Sequence, residues 1–140
     1  MAQSMTRCAM CEYDPALSVA GRWEFELVVE VQSANAHIVN GRVASWAYRK
    51  RRDEWTMLMR VASRHIPGPT GKRRITLTRL YSGRQREWDR DNLVGGAKLV
   101  LDAAVKAGIL IDDAKAFAEV HYLQERGERR GTRVLVEAIG

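Results

Sequence analysis

The stretch RITLTRLYSGRQREWDRDNLVGGAKLVLDAAVKAG, residues 74–108, decides the fold, because the spacing of its apolar residues changes along its length. From Arg74 to Tyr81 the residues alternate, with Ile75, Leu77 and Arg79 on one face and Thr76, Thr78 and Leu80 on the other. A period of two marks a β-strand. From Asn92 to Gly108 the apolar positions Leu93, Ala97, Val100, Leu101, Ala104 and Val105 recur at helical spacing. Asp91 or Asn92 can cap the start of this helix, and Gly108 suits its end. The pair Gly95-Gly96 lowers helical preference, so regular helix is expected to begin only near Gly96. Between strand and helix lies a basic loop, Ser82 to Trp88, carrying Arg84 and Arg86.

Upstream, Trp23 to Val31 reads as a strand that alternates apolar and acidic residues before turning mostly apolar, and Ser33-Ala34-Asn35 ends it in a turn. Ala44 to Ser63 reads as an amphipathic helix. Trp46, Trp55, Leu58, Met59 and Ala62 form its apolar side, and both tryptophans are expected in the core. Arg49, Lys50, Arg51, Arg52, Asp53 and Arg60 form the opposite stripe, which suits either a solvated face or contact with phosphates. His65 to Gly71 is a loop by composition. Downstream, Ile109-Leu110-Ile111 is short and β-prone. Two last strands, Ala116 to Leu123 and Thr132 to Ile139, are expected to form a hairpin through the basic turn Glu125 to Gly131. The order β-α-β-α-β-β indicates one α/β (α+β) domain over residues 23–140, with a mixed sheet and two main helices. Residues 1–22, broken by Pro15 and Gly21, read as an irregular N-terminal segment.

The 140 residues are 46% hydrophobic, enough for one core. No apolar run approaches the roughly 20 residues that span a bilayer. The N-terminal residues lack the basic start and apolar run of a secretory signal, so a cytoplasmic protein is expected. The formal charge is +6, and of the 23 cations 18 are Arg. The planar Arg fork fits phosphate oxygens, so an Arg-rich basic domain points to nucleic acid. Cys8 and Cys11 have the spacing of half a zinc site or a redox pair. The chain has no second C-x-x-C, and His37, His65 and His121 lack ligand spacing. Two free thiols are therefore expected, with zinc shared between subunits or completed by a distant His as the alternative.

Asp89 and Asp91 stand two apart before a helix. If extended, that segment turns both carboxylates to one side, where they repel unless a cation joins them. Oxygen donors of this kind select Mg²⁺ or Mn²⁺. Lys98 and Asp102, four apart, share a helix face, and Asp112-Asp113 stand beyond that helix. A divalent ion held here could support phosphodiester hydrolysis, with a lysine stabilising developing charge and arginines holding the nucleic-acid backbone. Read separately, the same residues make a surface loop, a helix cap and an exposed ion pair.

Asp89-Arg90-Asp91-Asn92-Leu93, then Lys98-x3-Asp102, then Gly108-x3-Asp112-Asp113, resembles the RusA family of Holliday-junction resolvases from phages and prophages. About 25 residues match closely, and the element order matches more loosely. The resemblance implies a homodimeric, magnesium-dependent endodeoxyribonuclease acting on four-way DNA junctions, in a bacterial host or encoded by a phage. It implies Asp89, Asp91 and Asp113 as metal ligands and Lys98 as a catalytic helper. Asn92, Asp102 and Asp112 would be supporting residues. Arg49, Lys50, Arg51, Arg52, Arg84, Arg86 and Arg90 are the candidate DNA contacts. In the family the lysine follows the D-N pair after two residues, whereas five intervene here, so three extra residues lie at or near Val94-Gly95-Gly96. The alternatives are a non-catalytic branched-DNA-binding protein on the same fold, or an interaction module using the C-x-x-C segment.

Overall fold

The computed structural model describes residues 21–33, 38–39, 42–43 and 45–140. The Cys8/Cys11 reading, most of the N-terminal segment and the turn residues Ala34 and Asn35 lie outside them. Strand β1, Arg22–Leu27, buries Phe25 and Leu27 and turns Glu24 and Glu26 outward. It stops four residues short of the expected Val31. Its partner ladder runs out at Leu27↔Thr132, and Val28 is 87% exposed. The Val29 carbonyl then accepts from Thr132 Oγ1 at 2.8 Å instead of from a strand amide. A two-residue ladder that periodicity alone does not reveal follows, β2 (Ile38–Val39) against β3 (Arg42–Val43). Its cue in the sequence is Asn40-Gly41, the dipeptide favoured by tight hairpins.

Helix α1, Ser45–Ala62, buries Trp55, Thr56, Met59 and Ala62. Trp46 is 65% exposed, contrary to the expectation that both tryptophans are core. The two are nine residues apart, about two and a half turns, so they occupy opposite faces. Strand β4, Arg73–Tyr81, starts one residue before the expected Arg74; Ile75, Leu77 and Arg79, expected on one face, are buried, and Arg73 joins them. Helix α2, Arg90–Lys106, starts earlier than expected, and its N-cap is Asp89 rather than Asp91 or Asn92. It runs regularly through Gly95-Gly96. After it, Gly108 at φ 84° donates its N–H to Val105 O (3.1 Å), and Ile109 N–H reaches Ala104 O (3.0 Å). This double closure satisfies the last helical carbonyls. Ile109 and Leu110 are core residues at 2% exposure in a bend, not the strand their composition suggests.

Strand β5, Ala118–Arg126, pairs parallel with β4, and β6, Gly131–Ala138, pairs antiparallel with both β1 and β4. The sheet order is β1-β6-β4-β5. The expected β5–β6 hairpin is therefore corrected: β4 lies between the two strands. The reason lies in their side chains. Strand β6 buries Thr132, Val134 and Val136 completely and occupies a central position, whereas β5, rich in exposed and charged residues, takes an edge. The result is an α+β domain with a mixed four-stranded sheet and two main helices, as the element pattern indicated.

One face of the sheet, with Phe25, Val134 and Leu77 in register, joins Trp55, Met59 and Val100 in the core. The other face is polar. Arg74 bridges Glu119 and Glu137, and Arg133 bridges Glu125 at 2.8 Å and Glu26 at 3.5 Å. Buried Arg73, at the start of β4, ties that strand to the segments after α1 and α2, donating to Pro67 O at 2.6 Å and Ile109 O at 2.9 Å. No helix among the described residues is long and apolar enough to cross a membrane.

Candidate metal and nucleic-acid site

The approach to Asp89 is built on two side chains from the sheet. Arg79 and Gln124 are cross-strand partners in the β4–β5 register. Arg79 is only 3% exposed, and its guanidinium lies 3.7 Å from the Trp88 ring centroid and 5.1 Å from that of Tyr81. Burial lowers its pKa, and Glu30 and Tyr81 offset part of that effect. Its Nη1 donates to Arg86 O at 3.0 Å and Gln124 Oε1 at 2.9 Å. The Gln124 amide closes on Trp88 from both sides, accepting its N–H at 2.9 Å and donating to its carbonyl at 2.8 Å. The residue immediately before Asp89 is thus held as though by an extra strand.

Asp89 sits at φ −65°, ψ 162°, and its Oδ1 accepts from the backbone N–H of Asn92 at 2.8 Å. Asp91 lies in the first turn of α2, where the positive end of the helix favours an anion. Both aspartates are exposed. The condition that the D-x-D segment be extended is met at Asp89 alone, because Asp91 is helical. The supporting role expected of Asn92 is carried, at this bond, by its main chain.

Lys98 is exposed two turns further along α2. Asp102 accepts a hydrogen bond from the hydroxyl of Tyr48 on α1, not an ion pair from Lys98. Burial, reinforced by the Asp102 carboxylate, raises the Tyr48 pKa well above the usual phenol value. Asp112 and Asp113 are exposed in the segment after α2, where Asp113 N–H donates to Asp112 Oδ1 at 2.8 Å. Among the described residues, no group of three or more His, Cys, Asp or Glu is gathered as a metal site. Asp89, Asp91 and Asp113 are therefore not assembled into one three-carboxylate cage within this chain.

Tyr122 on β5 is half-buried. Burial raises its pKa, Arg90 lowers it, and Asp113 and Asp102 raise it further. Arg79, Gln124, Tyr48 and Tyr122 belong to no sequence motif that marks them as site residues. The available signal is phase: Arg79 follows Ile75 and Leu77, and Gln124 follows Val120 and Tyr122, each along one strand face.

The cations expected to contact DNA divide into two groups. Arg84, Arg86 and Arg90 are exposed around the start of α2. Arg49 and Lys50 are exposed on α1, with Arg51 and Arg52 half-buried. The α1 group follows Tyr48, which is tied to Asp102, roughly 18 Å along α2 from Arg90 at 1.5 Å per residue. No family model matches the chain, and no curated protein matches it either.

Proposed function

We propose that this chain is a Mg²⁺-dependent endodeoxyribonuclease acting on branched DNA, as its resemblance to the RusA family implies. The observation that supports this reading best is the exposed pair Asp89 and Asp91 within one turn at the start of α2, beside Arg84, Arg86 and Arg90. Mg²⁺ is commonly held by one or two carboxylates together with substrate phosphates, not by an all-protein cage. Two exposed carboxylates next to exposed arginines fit that mode. Asp89 and Asp91 would hold the ion, with Mn²⁺ as a substitute. When bound, it polarises a phosphoryl oxygen and lowers the pKa of a coordinated water. Arg84, Arg86 and Arg90 hold the backbone, and the Arg79–Gln124 clamp on Trp88 keeps Asp89 in place. Lys98 keeps the role of catalytic helper that the resemblance implies, whereas Asp113, which it implies as a further ligand, is not gathered with Asp89 and Asp91 into one three-carboxylate group. A two-fold junction is matched by a homodimer in this reading.

The test is Asp89→Asn and Asp91→Asn on a synthetic four-way junction. Asn caps a helix about as well as Asp, so Asp89→Asn removes the charge and leaves the cap. Both variants are expected to bind the junction and to lose cleavage at least a hundredfold. Retained cleavage by both would place the chemistry elsewhere. The absence of a three-donor group among the described residues favours a second reading, a non-catalytic branched-DNA-binding protein. That reading predicts wild-type binding without nicks in Mg²⁺.

A further inference from the structure

Strands β1, β4 and β5 run in one direction and β6 in the other. The segment after β1, the 82–89 loop after β4 and the β5–β6 turn therefore meet at one end of the sheet. They are fastened together there. Arg126, the last residue of β5, donates from Nη1 to Gly83 O at 2.9 Å and from Nη2 to Gln85 O at 2.8 Å. Its guanidinium also lies 4.9 Å from the Tyr81 ring centroid, and Gly127 N–H donates to Tyr81 O at 2.9 Å. Gln85 Nε2 in turn reaches Glu30 Oε1 at 2.7 Å, drawing in the segment after β1.

This end carries the exposed arginines Arg84, Arg86, Arg126 and Arg130 together with the carboxylates of Glu30, Glu87 and Glu128. Both acceptors of Arg126 are neutral carbonyls, so its positive charge persists. Arg84, Arg86 and Arg130 are exposed and enter no ion pair among the described residues. A cleft of about 310 Å³ beside the turn is lined by Glu26, Glu125 and Glu128 as well as by arginines. Arg133 occupies the first two of these carboxylates.

We infer that the 82–89 loop and the 127–130 turn form one preassembled surface for a DNA phosphodiester backbone. Arg130 joins Arg84 and Arg86 as a phosphate contact, and Arg126 is the positioning residue that binds the two segments into one edge. The choice of DNA as the polyanion rests on the nuclease reading. The edge itself rests on the Arg126 fastening and on three exposed arginines that enter no ion pair among the described residues. Because the 82–89 loop ends in Asp89, a backbone lying on this edge is led to the start of α2. The basic stripe of α1 is not part of the surface.

The experiment is a salt titration of four-way-junction binding by the full chain in EDTA, where no cutting interferes. Removing one phosphate-neutralising cation flattens the slope of log K against log salt by about 0.9. Arg130→Gln is expected to weaken binding several-fold and flatten the slope by about that amount. Arg84→Gln combined with Arg86→Gln should flatten it by roughly twice as much. Arg22→Gln removes the same charge from the opposite end of the sheet and should leave the slope unchanged. Wild-type affinity and slope in Arg130→Gln, or equal flattening by Arg22→Gln, would overturn the assignment. Edge-dependent binding without Mg²⁺-dependent cleavage would keep the surface and remove the nuclease reading. Absence of any junction binding by the wild-type chain would remove both.

Discussion

A β-carbon on Gly96 would sit 1.8 Å from the carbonyl oxygen of Gln32, a backbone atom with little room to give. Glycine here allows α2 to lie directly against the segment that follows β1. In the sequence the same glycine pair reads only as weakened helix, because the neighbour that requires it is more than sixty residues away. Alanine would add about 1 kcal/mol of intrinsic helix preference. Overpacking typically costs about 1–3 kcal/mol, and more where the neighbour cannot move. Gly96→Ala is therefore expected to lower the urea midpoint with an unchanged m-value, and a raised midpoint would contradict the close contact. Asp89 and Asn92 give a second comparison at this scale. Asp89→Ala should cost about 1 kcal/mol through the lost cap. Asn92→Ala leaves the Asp89 bond in place, because its donor is a main-chain N–H. Equal destabilisation by the two substitutions would show that the Asn92 side chain carries more than this bond.

Helices α1 and α2 are joined by the Tyr48 hydroxyl and the Asp102 carboxylate. The Tyr48 pKa is raised in the folded state by burial and by Asp102. A raised pKa means that the folded protein holds the phenolic proton more tightly than the unfolded chain. The associated stability is fully present below the unfolded value of about 10 and declines as pH rises beyond it. Tyr48→Phe should cost about 1.5 kcal/mol at neutral pH and reduce that alkaline decline. An unchanged decline would assign it to another group. At this scale the sequence is legible wherever periodicity rules, which covers all four main strands and both helices. Strand pairing is less legible. The turn Glu125 to Gly131 has the composition of a hairpin loop, but β6 pairs with β1 and β4 while β5 holds an edge. Trp46 is a different case: two tryptophans within one helix suggest one apolar face until the turns between them are counted.

At the scale of the whole molecule, the parallel β4-α2-β5 unit places the D-x-D segment and both arginine-bearing loops at the same end of the sheet. The sequence carries the D-x-D segment and the basic loop before it, because those are local motifs. It does not carry the partners that fix them, Arg79, Gln124 and Arg126, because these act across strands at separations that no local pattern records. Nor does it tell that Asp89, Asp91 and Asp113 do not form one three-carboxylate group within the chain. A metal held by two carboxylates and substrate phosphates has a consequence: Mg²⁺ should bind the free protein weakly and bind more tightly with DNA present. Calorimetry on an uncleavable junction tests this, and tight binding by the free chain would require a third protein ligand.

The central claim is tested most directly by mapping the products of a labelled four-way junction incubated with the wild-type chain, in Mg²⁺ and in EDTA. A Mg²⁺-dependent resolvase is predicted to leave symmetric nicks on opposing strands in Mg²⁺ and an intact, bound junction in EDTA. A junction that stays intact in Mg²⁺, or nicks that persist in EDTA, would contradict it.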